Sequence, residues 1–505
     1  MTDAVERRLL VVGDADSYVK WGAALASTLP EPWRVRLVVV ASPVQPSARQ
    51  LAHALDGTRF APDEVRTVPL DGRGGLDDEV DAFDPHAVLL ALRGPFVRVV
   101  APRLLRRPDR PALLSGFPGL TVPAVPKAVV YREQTDLVVL HSRREVREFR
   151  AIAAELGVDR MFGLATLPFL AGRGAATTTD AAAPRGTDVV FAAQAKVPAE
   201  REDRALLLAA LAELARRRPE ARVVVKVRAR SGEAQTHAEA HDYADLAAEL
   251  ADPPANLVVE DGPMAGHLAR ASALVTVSST AALEAVALGI PVLLVDDFGV
   301  SSAMINTVFE DAGLFGSTLD LVEGRFRHAE PGWLADNYFH AADADDWAAR
   351  MGALVEAREI VPLPMLERRH NLAGGALRTA FERRRMLGGF DRTASGAIAW
   401  GVGVPVRAVV RRVRRLRRRL VGAARGGLPA PGGLASDGAA ATAAARSVDR
   451  GGVQVDVREV RLGVAPDAGL LVGGELAADL AGHPGDERAG RHDGALEHHG
   501  AGRDE

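Results

Sequence analysis

The sequence predicts an α/β protein with two domains, each built around a parallel β-sheet. Apolar runs of strand length alternate with stretches of helical periodicity over residues 1–172 and again over residues 188–342. The runs are apolar throughout, which is typical of strands buried on both faces of a parallel sheet. Residues 173–187 are of low complexity and lack apolar periodicity, which predicts a linker. We therefore expect two Rossmann-like domains facing a cleft, with ligands bound at the carboxyl ends of the strands.

The N-terminal domain, residues 1–172, opens on the apolar run LLVVG and continues with four more strand-like runs. Helical periodicity separates them, as a parallel sheet requires. The predicted strands cover residues 9–13, 35–40, 87–92, 129–130 and 137–140, and the predicted helices cover residues 17–29 and 143–156.

The C-terminal domain, residues 188–342, repeats this pattern. The predicted strands cover residues 189–192, 222–227 and 257–259, and the predicted helices cover residues 201–218, 240–250 and 264–271. Residues 275–295 then read as a strand, a hydroxyl-rich turn, a short helix and another strand. Residues 343–390 predict two helices, at 345–357 and 364–387, which we expect to pack back on both domains.

The end of the chain has a different composition. Residues 391–425 include eight arginines between positions 406 and 421, with apolar residues at helical spacing. The segment from Arg407 to Arg419 is therefore predicted as a basic amphipathic helix suited to an anionic membrane surface. A solvated helix or a contact with an acidic partner would give the same pattern. Residues 426–505 hold no aromatic residue, Ile or Met, so we expect a disordered tail.

Composition excludes several classes of site. The chain has no cysteine, which excludes disulfides, thiolate zinc sites and a cysteine nucleophile. The 13 histidines show no metal-ligand spacing, so we expect neither a metal site nor a cofactor. The net charge of −4 predicts no strong overall attraction to nucleic acid. The N-terminus has the pattern of neither a signal peptide nor a membrane span, which predicts a cytoplasmic protein, peripheral at the plasma membrane if the basic segment binds lipid.

The turn Ser278-Ser279-Thr280 opens the short helix of the C-terminal domain. Backbone N–H groups at a helix N-terminus are unpaired and the helix dipole is positive there, so the turn suits a phosphate. Glu284, one turn further on, is placed to reach a ribose hydroxyl. An ordinary N-cap would give the same sequence.

Cations follow a neighbouring strand of the same domain. Lys226, Arg228 and Arg230 alternate on one face of the chain at and beyond the carboxyl end of the predicted strand 222–227. Three such cations suit a diphosphate, although a solvated strand end with an exposed loop is the alternative. His237 is a candidate to donate to a phosphate or to protonate a leaving group. Glu260, after the next strand, is a candidate to hold a base or ribose.

Two carboxylates follow the first strand of the N-terminal domain. Asp14 and Asp16 are candidates for a general base, and Asp16 is equally a candidate N-cap of the next helix. The other candidates on this acceptor side are Lys20, Gly116, Gly119 and Arg132.

Over residues 8–390 the chain resembles the GT-B glycosyltransferases, and among them an actinobacterial group of unknown substrate. The resemblance is carried by the turn 13–21, the loop 116–119, the segment 226–237, and the turn 278–280 with Glu284 and the segment 289–291. It implies that the C-terminal domain binds a nucleotide-sugar donor and the N-terminal domain a glycan or lipid-linked acceptor, without a metal.

The same resemblance implies roles for the residues that match. Lys226, Arg228, His237 and the turn 278–280 become donor-phosphate candidates, Glu284 and Glu260 become nucleotide candidates, and Asp14 or Asp16 becomes the base. The donor-site Glu-x(7)-Glu pattern of many retaining members is not evident, which favours inversion. Two alternatives stay open: a nucleotide-sugar 2-epimerase, and a non-catalytic binding or scaffold protein.

Overall fold

A computed structural model describes residues 6–170, 186–227 and 241–405. Most of the predicted linker, the candidates Arg228 and His237, the segment from Arg407 to Arg419 and the tail 426–505 lie outside these residues.

The N-terminal domain is built on a seven-stranded sheet whose paired strands are all parallel. Its strands are β1 (Arg7–Gly13), β2 (Trp33–Val40), β3 (Arg66–Val68), β4 (Ala87–Ala91), β5 (Ala112–Gly116), β6 (Leu137–Leu140) and β7 (Met161–Leu164). Their order in the sheet is β3-β2-β1-β4-β5-β6-β7. The order reverses between β1 and β4, which is the switch point where doubly wound sheets bind ligands.

Helices cover both faces of this sheet. They are α1 (Asp16–Ser27), α2 (Ala48–Leu55), α3 (Leu76–Phe83), α4 (Gly94–Leu105), α5 (Pro126–Tyr131) and α6 (Arg143–Glu155). The predicted strand at 129–130 is wrong, because Val129 and Val130 form the buried side of α5, which starts at Pro126. Proline favours the first turn of a helix, where its missing N–H is not needed.

The C-terminal domain repeats the architecture with a six-stranded sheet. Its strands are β8 (Asp188–Ala192), β9 (Val223–Lys226), β10 (Leu257–Glu260), β11 (Ala271–Thr276), β12 (Val292–Val295) and β13 (Phe315–Gly316). Its helices are α7 (Arg201–Arg217), α8 (Tyr243–Ala248), α9 (Met264–Leu268), α10 (Ala281–Ala287), α11 (Thr318–Glu323) and α12 (Pro331–Asp336). The strand order β10-β9-β8-β11-β12-β13 is again doubly wound and parallel, with the switch between β8 and β11.

The two domains are thus both Rossmann-like, and the predicted fold class is confirmed. After the second domain, α13 (Trp347–Ile360) and α14 (Gly375–Leu387) return to the N-terminal sheet. The buried side chains of α13 join the core on one face of that sheet, and those of α14 join the core on the other face. The segment also touches the C-terminal domain, because Asp345 bonds His340 at 2.8 Å.

A buried carboxylate joins the two domains. Glu145, in the first turn of α6, is fully buried and accepts hydrogen bonds from the backbone N–H groups of Thr121 and His141, each at 2.8 Å. The hydroxyl of Tyr338, which comes from the C-terminal domain, donates to the same carboxylate at 2.7 Å. Burial raises the pKa of Tyr338, and the adjacent carboxylate raises it further. The hydroxyl therefore stays protonated and serves as a donor.

The described residues contain no helix that is both long and apolar enough to cross a membrane.

We predict that Tyr338→Phe lowers the free energy of unfolding by about 1–3 kcal/mol, because a buried carboxylate loses a charge-assisted hydrogen bond. Urea unfolding followed by circular dichroism measures the change. Tyr131→Phe is the matched control, since no hydrogen bond joins the Tyr131 hydroxyl to the described residues. Equal effects of the two substitutions would contradict the role assigned to Tyr338.

Candidate functional site

The domains meet at the carboxyl edge of the N-terminal sheet. Leu120 and Val122 lie in the loop that leaves β5 at this edge, and they pack into the apolar cluster that contains α10 of the C-terminal domain. The helix α10 begins directly after the turn Ser278–Thr280. The loop of the predicted acceptor side and the helix of the predicted donor side therefore share one core.

The side chain of Gln194 fixes the donor-side turn Ser278–Thr280. The Gln194 side-chain oxygen, just beyond the carboxyl end of β8, accepts from both the backbone N–H and the hydroxyl of Ser278, each at 3.0 Å. Ser278 is buried. Sequence reasoning missed Gln194, because the two residues are 84 positions apart and only the pairing of β8 with β11 brings them together.

The other two hydroxyls of the turn differ in their surroundings. The Ser279 hydroxyl accepts from the backbone N–H of Ala281 at 3.2 Å, so Ser279 caps the start of α10. The Thr280 side chain is exposed, and its hydroxyl makes no hydrogen bond to the part of the chain that the structure describes. Of the three predicted phosphate-binding hydroxyls, Thr280 is thus the most available to a ligand.

Three further donor-side candidates lie in the described part of the C-terminal domain. Lys226 ends β9 and is half-buried, and Glu284 is half-buried on α10. Glu260 ends β10, where its carboxylate pairs with Arg222 at 2.6 Å and Arg270 at 3.6 Å. To hold a ribose, Glu260 would have to share these partners.

A further carboxylate stands at the same edge. Asp296 directly follows β12, the neighbour of β11, and is half-buried. Burial raises the pKa of Asp296, and the nearby Asp297 and Asp320 raise it further. The sequence signal of this position is a pair of aspartates directly after a buried apolar run.

The two candidate bases of the acceptor side have opposite environments. Asp14 is fully buried, and its carboxylate accepts from the Arg93 side chain at 2.7 Å and from the Arg93 backbone N–H at 3.2 Å. Burial raises the pKa of Asp14, while Arg93 opposes the shift. Since Arg93 precedes α4, this pair ties the turn after β1 to the turn after β4 across the switch point.

Asp16 is the exposed carboxylate of the two. It is the first residue of α1, whose N-cap is Ala15, so Asp16 does not cap the helix as the alternative interpretation proposed. Partial burial raises the pKa of Asp16, and Lys20 and His53 oppose the shift. Lys20 is exposed on the next turn of α1.

The acceptor-side loop rests on a buried arginine. Arg132 is fully buried, stacks over the Phe117 ring at 3.7 Å, and donates to the Gly116 carbonyl oxygen at 2.8 Å. Burial lowers the pKa of Arg132 to about 9. Because its guanidinium is enclosed, Arg132 can affect an acceptor only by positioning this loop. Gly119, by contrast, has open space around its α-carbon.

A buried histidine completes the support of this edge. The Trp21 indole N–H donates to His141 Nε2 at 2.8 Å, and His141 Nδ1 bonds the Ala165 carbonyl oxygen at 2.9 Å. Burial lowers the pKa of His141, so the ring is neutral and carries its proton on Nδ1. This arrangement fixes Trp21 as a core residue.

The family model described as "Putative glycosyltransferase (DUF6716)" matches residues 9–354. The chain belongs to this family. The matched region runs from β1 into α13 and contains both sheets, so the match covers both domains and every candidate site residue. None of the curated proteins matches the sequence.

Several solved structures are similar to this member of the family. A putative UDP-N-acetylglucosamine 2-epimerase from Listeria monocytogenes is 13% identical, with a TM-score of 0.46 over 72% of this chain and 99% of that chain. The UDP-GlcNAc 2-epimerase from Neisseria meningitidis bound to UDP-GlcNAc is 11% identical, with a TM-score of 0.44 over 69% and 98%. The spinosyn rhamnosyltransferase SpnG complexed with thymidine diphosphate is 16% identical, with a TM-score of 0.34 over 70% and 96%. Similarity at this level carries no information on activity.

We predict that Gly116→Ala destabilises the N-terminal domain by about 1–3 kcal/mol, as overpacked core positions do. A Cβ at position 116 would lie 2.5 Å from the Trp21 ring and 2.7 Å from the Val139 carbonyl oxygen. Gly119→Ala is the control from the same loop, because a Cβ there meets no atom within 4 Å. The unfolding midpoint in urea measures both, and a larger effect of Gly119→Ala would contradict the assignment.

Proposed function

We propose that this protein moves a sugar from a nucleotide-activated donor to a hydroxyl group of a glycan or lipid-linked acceptor. We further propose that the transfer is inverting and needs no metal. The observation that carries the proposal is the turn at Ser278, which Gln194 fixes at the carboxyl edge of the C-terminal sheet in a family described as glycosyltransferases. A turn fixed before the ligand arrives needs no reorganisation during the reaction, which is the condition for strong electrostatic stabilisation.

The donor side would stabilise the leaving nucleotide. As the bond between the anomeric carbon and the phosphate oxygen breaks, the bonding electrons stay with the phosphate, whose negative charge grows. Thr280 presents its hydroxyl beside the start of α10, which follows β11. Lys226 lies at the carboxyl end of β9, which is separated from β11 in the sheet by β8. Arg228 and His237 are further candidates in the same chain segment. Glu284 and Glu260 are candidates for the nucleotide, and Asp296 is a candidate for the sugar hydroxyls.

The acceptor side would supply the base. The acceptor hydroxyl attacks the anomeric carbon and gives its proton to a carboxylate. Asp16 is suited to this role because it is exposed at the switch point of the N-terminal sheet, whereas Asp14 is enclosed with Arg93. A raised pKa also makes Asp16 a stronger base than an ordinary aspartate.

The test begins with the nucleotide. Thermal unfolding of the full chain is measured with UDP, GDP, CDP, CMP and thymidine diphosphate. A ligand at 100 times its dissociation constant adds about 2.7 kcal/mol of stability. The protein is then incubated in EDTA with the matching sugar nucleotide, with and without glycan and lipid-linked acceptors. The release of the nucleotide and the anomeric configuration of the product are measured.

The outcomes separate the alternatives. Release that depends on an acceptor, with an inverted product, supports the proposal. Epimerised sugar nucleotide formed without an acceptor would show a 2-epimerase instead. Binding without turnover on any acceptor would show a scaffold protein, and loss of transfer in EDTA would refute metal independence.

We predict that Lys226→Ala lowers kcat/KM for transfer by about 10²-fold, the usual effect of removing one preorganised charge donor. Lys127→Ala is the control, since Lys127 lies on α5 of the N-terminal domain, beside the Tyr131 ring. Unchanged turnover of Lys226→Ala would remove this residue from the donor site.

We predict that kcat/KM falls as the pH drops through the pKa of Asp16, because only the deprotonated carboxylate accepts a proton. Since this pKa is raised, the fall occurs above the pH range of an ordinary aspartate. Asp16→Asn abolishes the fall and lowers kcat/KM by about 10²- to 10⁴-fold. Asp63→Asn, an exposed aspartate shortly before β3 at the opposite edge, is the control. An unaltered pH profile in Asp16→Asn would exclude Asp16 as the base.

A further inference from the structure

The chain continues beyond α14 as a helix over residues 394–405. Its start is well capped, because the Thr393 hydroxyl accepts from the Gly396 backbone N–H at 3.2 Å and donates to Asp391 at 2.7 Å. The helix rests on α14, where the Trp400 ring stacks on the Phe381 ring with centroids 5.4 Å apart. Through α14, the segment therefore packs on the N-terminal domain.

This helix turns its small residues inward. Ala399 is fully buried, and a Cβ at Gly403 would lie 2.3 Å from the Phe381 ring. A Cβ at Gly396 would lie 2.3 Å from the Asp391 carboxylate. Positions 396, 399 and 403 are spaced by three and four residues and share one face of the helix. Only small residues fit between this helix and its neighbours.

The large apolar residues of the helix are exposed to solvent in part, and the Trp400 ring also contacts Phe381. Ile398 is 64% exposed, Val402 48%, Trp400 42% and Val404 40%. Phe390, just before the helix, is 49% exposed. The stretch 393–406 contains no charged residue. This arrangement is the reverse of a surface helix in water, where the polar side faces solvent, and exposed apolar side chains of this kind mark a docking site.

Charge identifies the occupant. Arg392 precedes the helix, and the eight arginines between positions 406 and 421 follow it in sequence with no acidic residue among them. Such a run complements an anionic surface. The apolar side chains with a tryptophan suit the boundary between headgroups and acyl chains. At 1.5 Å per residue the described part of the helix is about 18 Å long, which suffices to lie in this boundary.

We propose that the outward face of helix 394–405, formed by Ile398, Trp400, Val402 and Val404, docks the protein on an anionic lipid surface. None of the residues of this face belongs to the proposed transfer site, so vesicle binding is measured without turnover and the two proposals stand or fall independently. If both hold, the docked enzyme meets acceptors that are themselves held in the membrane.

Tryptophan fluorescence tests the face directly. Of the five tryptophans, Trp21, Trp33, Trp333 and Trp347 are at most 7% exposed, and Trp400 is 42% exposed. The full chain is mixed with vesicles of brominated phosphatidylcholine that contain about a quarter phosphatidylglycerol. We expect quenching and a blue shift of the emission, both lost in Trp400→Phe. Quenching that persists in Trp400→Phe, or vesicle binding without quenching, would overturn the proposal.

Co-sedimentation with vesicles measures the affinity. We expect binding to vesicles with phosphatidylglycerol and little to phosphatidylcholine alone. Raising the salt from about 0.1 M to about 1 M shortens the screening length from about 10 Å to about 3 Å and should weaken the binding. Binding to neither kind of vesicle overturns the proposal.

A charge-introducing variant locates the contact. Ile398→Glu with Val402→Glu should weaken binding to the anionic vesicles by about tenfold or more, since two apolar contacts are replaced by repelled charges. Leu319→Glu is the matched control, because Leu319 is 61% exposed on α11 of the C-terminal domain. Thermal unfolding checks that both variants stay folded. Unchanged binding of the double variant, or a dimer in solution that it abolishes, would overturn the lipid assignment.

Discussion

The geometry of the molecule depends on one buried carboxylate, that of Glu145. Taking a carboxylate out of water is expensive unless hydrogen bonds replace its hydration, and here Thr121, His141 and Tyr338 supply three donors. Its place in the first turn of α6 adds the favourable helix dipole. The three donors come from the loop after β5, the end of β6 and the other domain. One charge therefore fixes the acceptor-side loop and the C-terminal domain relative to each other, at the edge where the candidate site lies.

Most of the polar groups at that edge are used internally. Asp14 holds Arg93, Arg132 holds the Gly116 loop, His141 holds Trp21, and Ser278 is held by Gln194. Buried polar groups need such partners, and these pairs give the two edges their rigidity. Among the described candidates, Asp16 and Thr280, at the starts of α1 and α10, are exposed to a ligand. A rigid inner layer that presents a few exposed groups is the arrangement that a preorganised site requires.

The sequence predicts the parallel sheets well, because continuous apolar runs such as 9–13 have few other uses in an α/β protein. It fails at 129–130, where two valines suggest a strand although Pro126 starts a short helix. It also places the carboxyl ends of strands correctly, and so finds Asp14, Asp16 and the turn 278–280. The sequence cannot show which polar side chains face inward, because that depends on partners that are distant along the chain. Tyr338, for example, lies 193 residues from its partner Glu145.

Helix 394–405 is a second case in which the sequence does not show the direction of the side chains. The sequence predicts a basic amphipathic segment over residues 391–425, but hydropathy records composition and does not show which way the apolar residues of the helix face. On its inner side the helix meets the Phe381 ring, and a Cβ at Gly403 has no room against that ring. Ala399, on the same side, is fully buried. The outward apolar face is therefore the packed solution for this helix, and an apolar medium outside the protein is what would bury it.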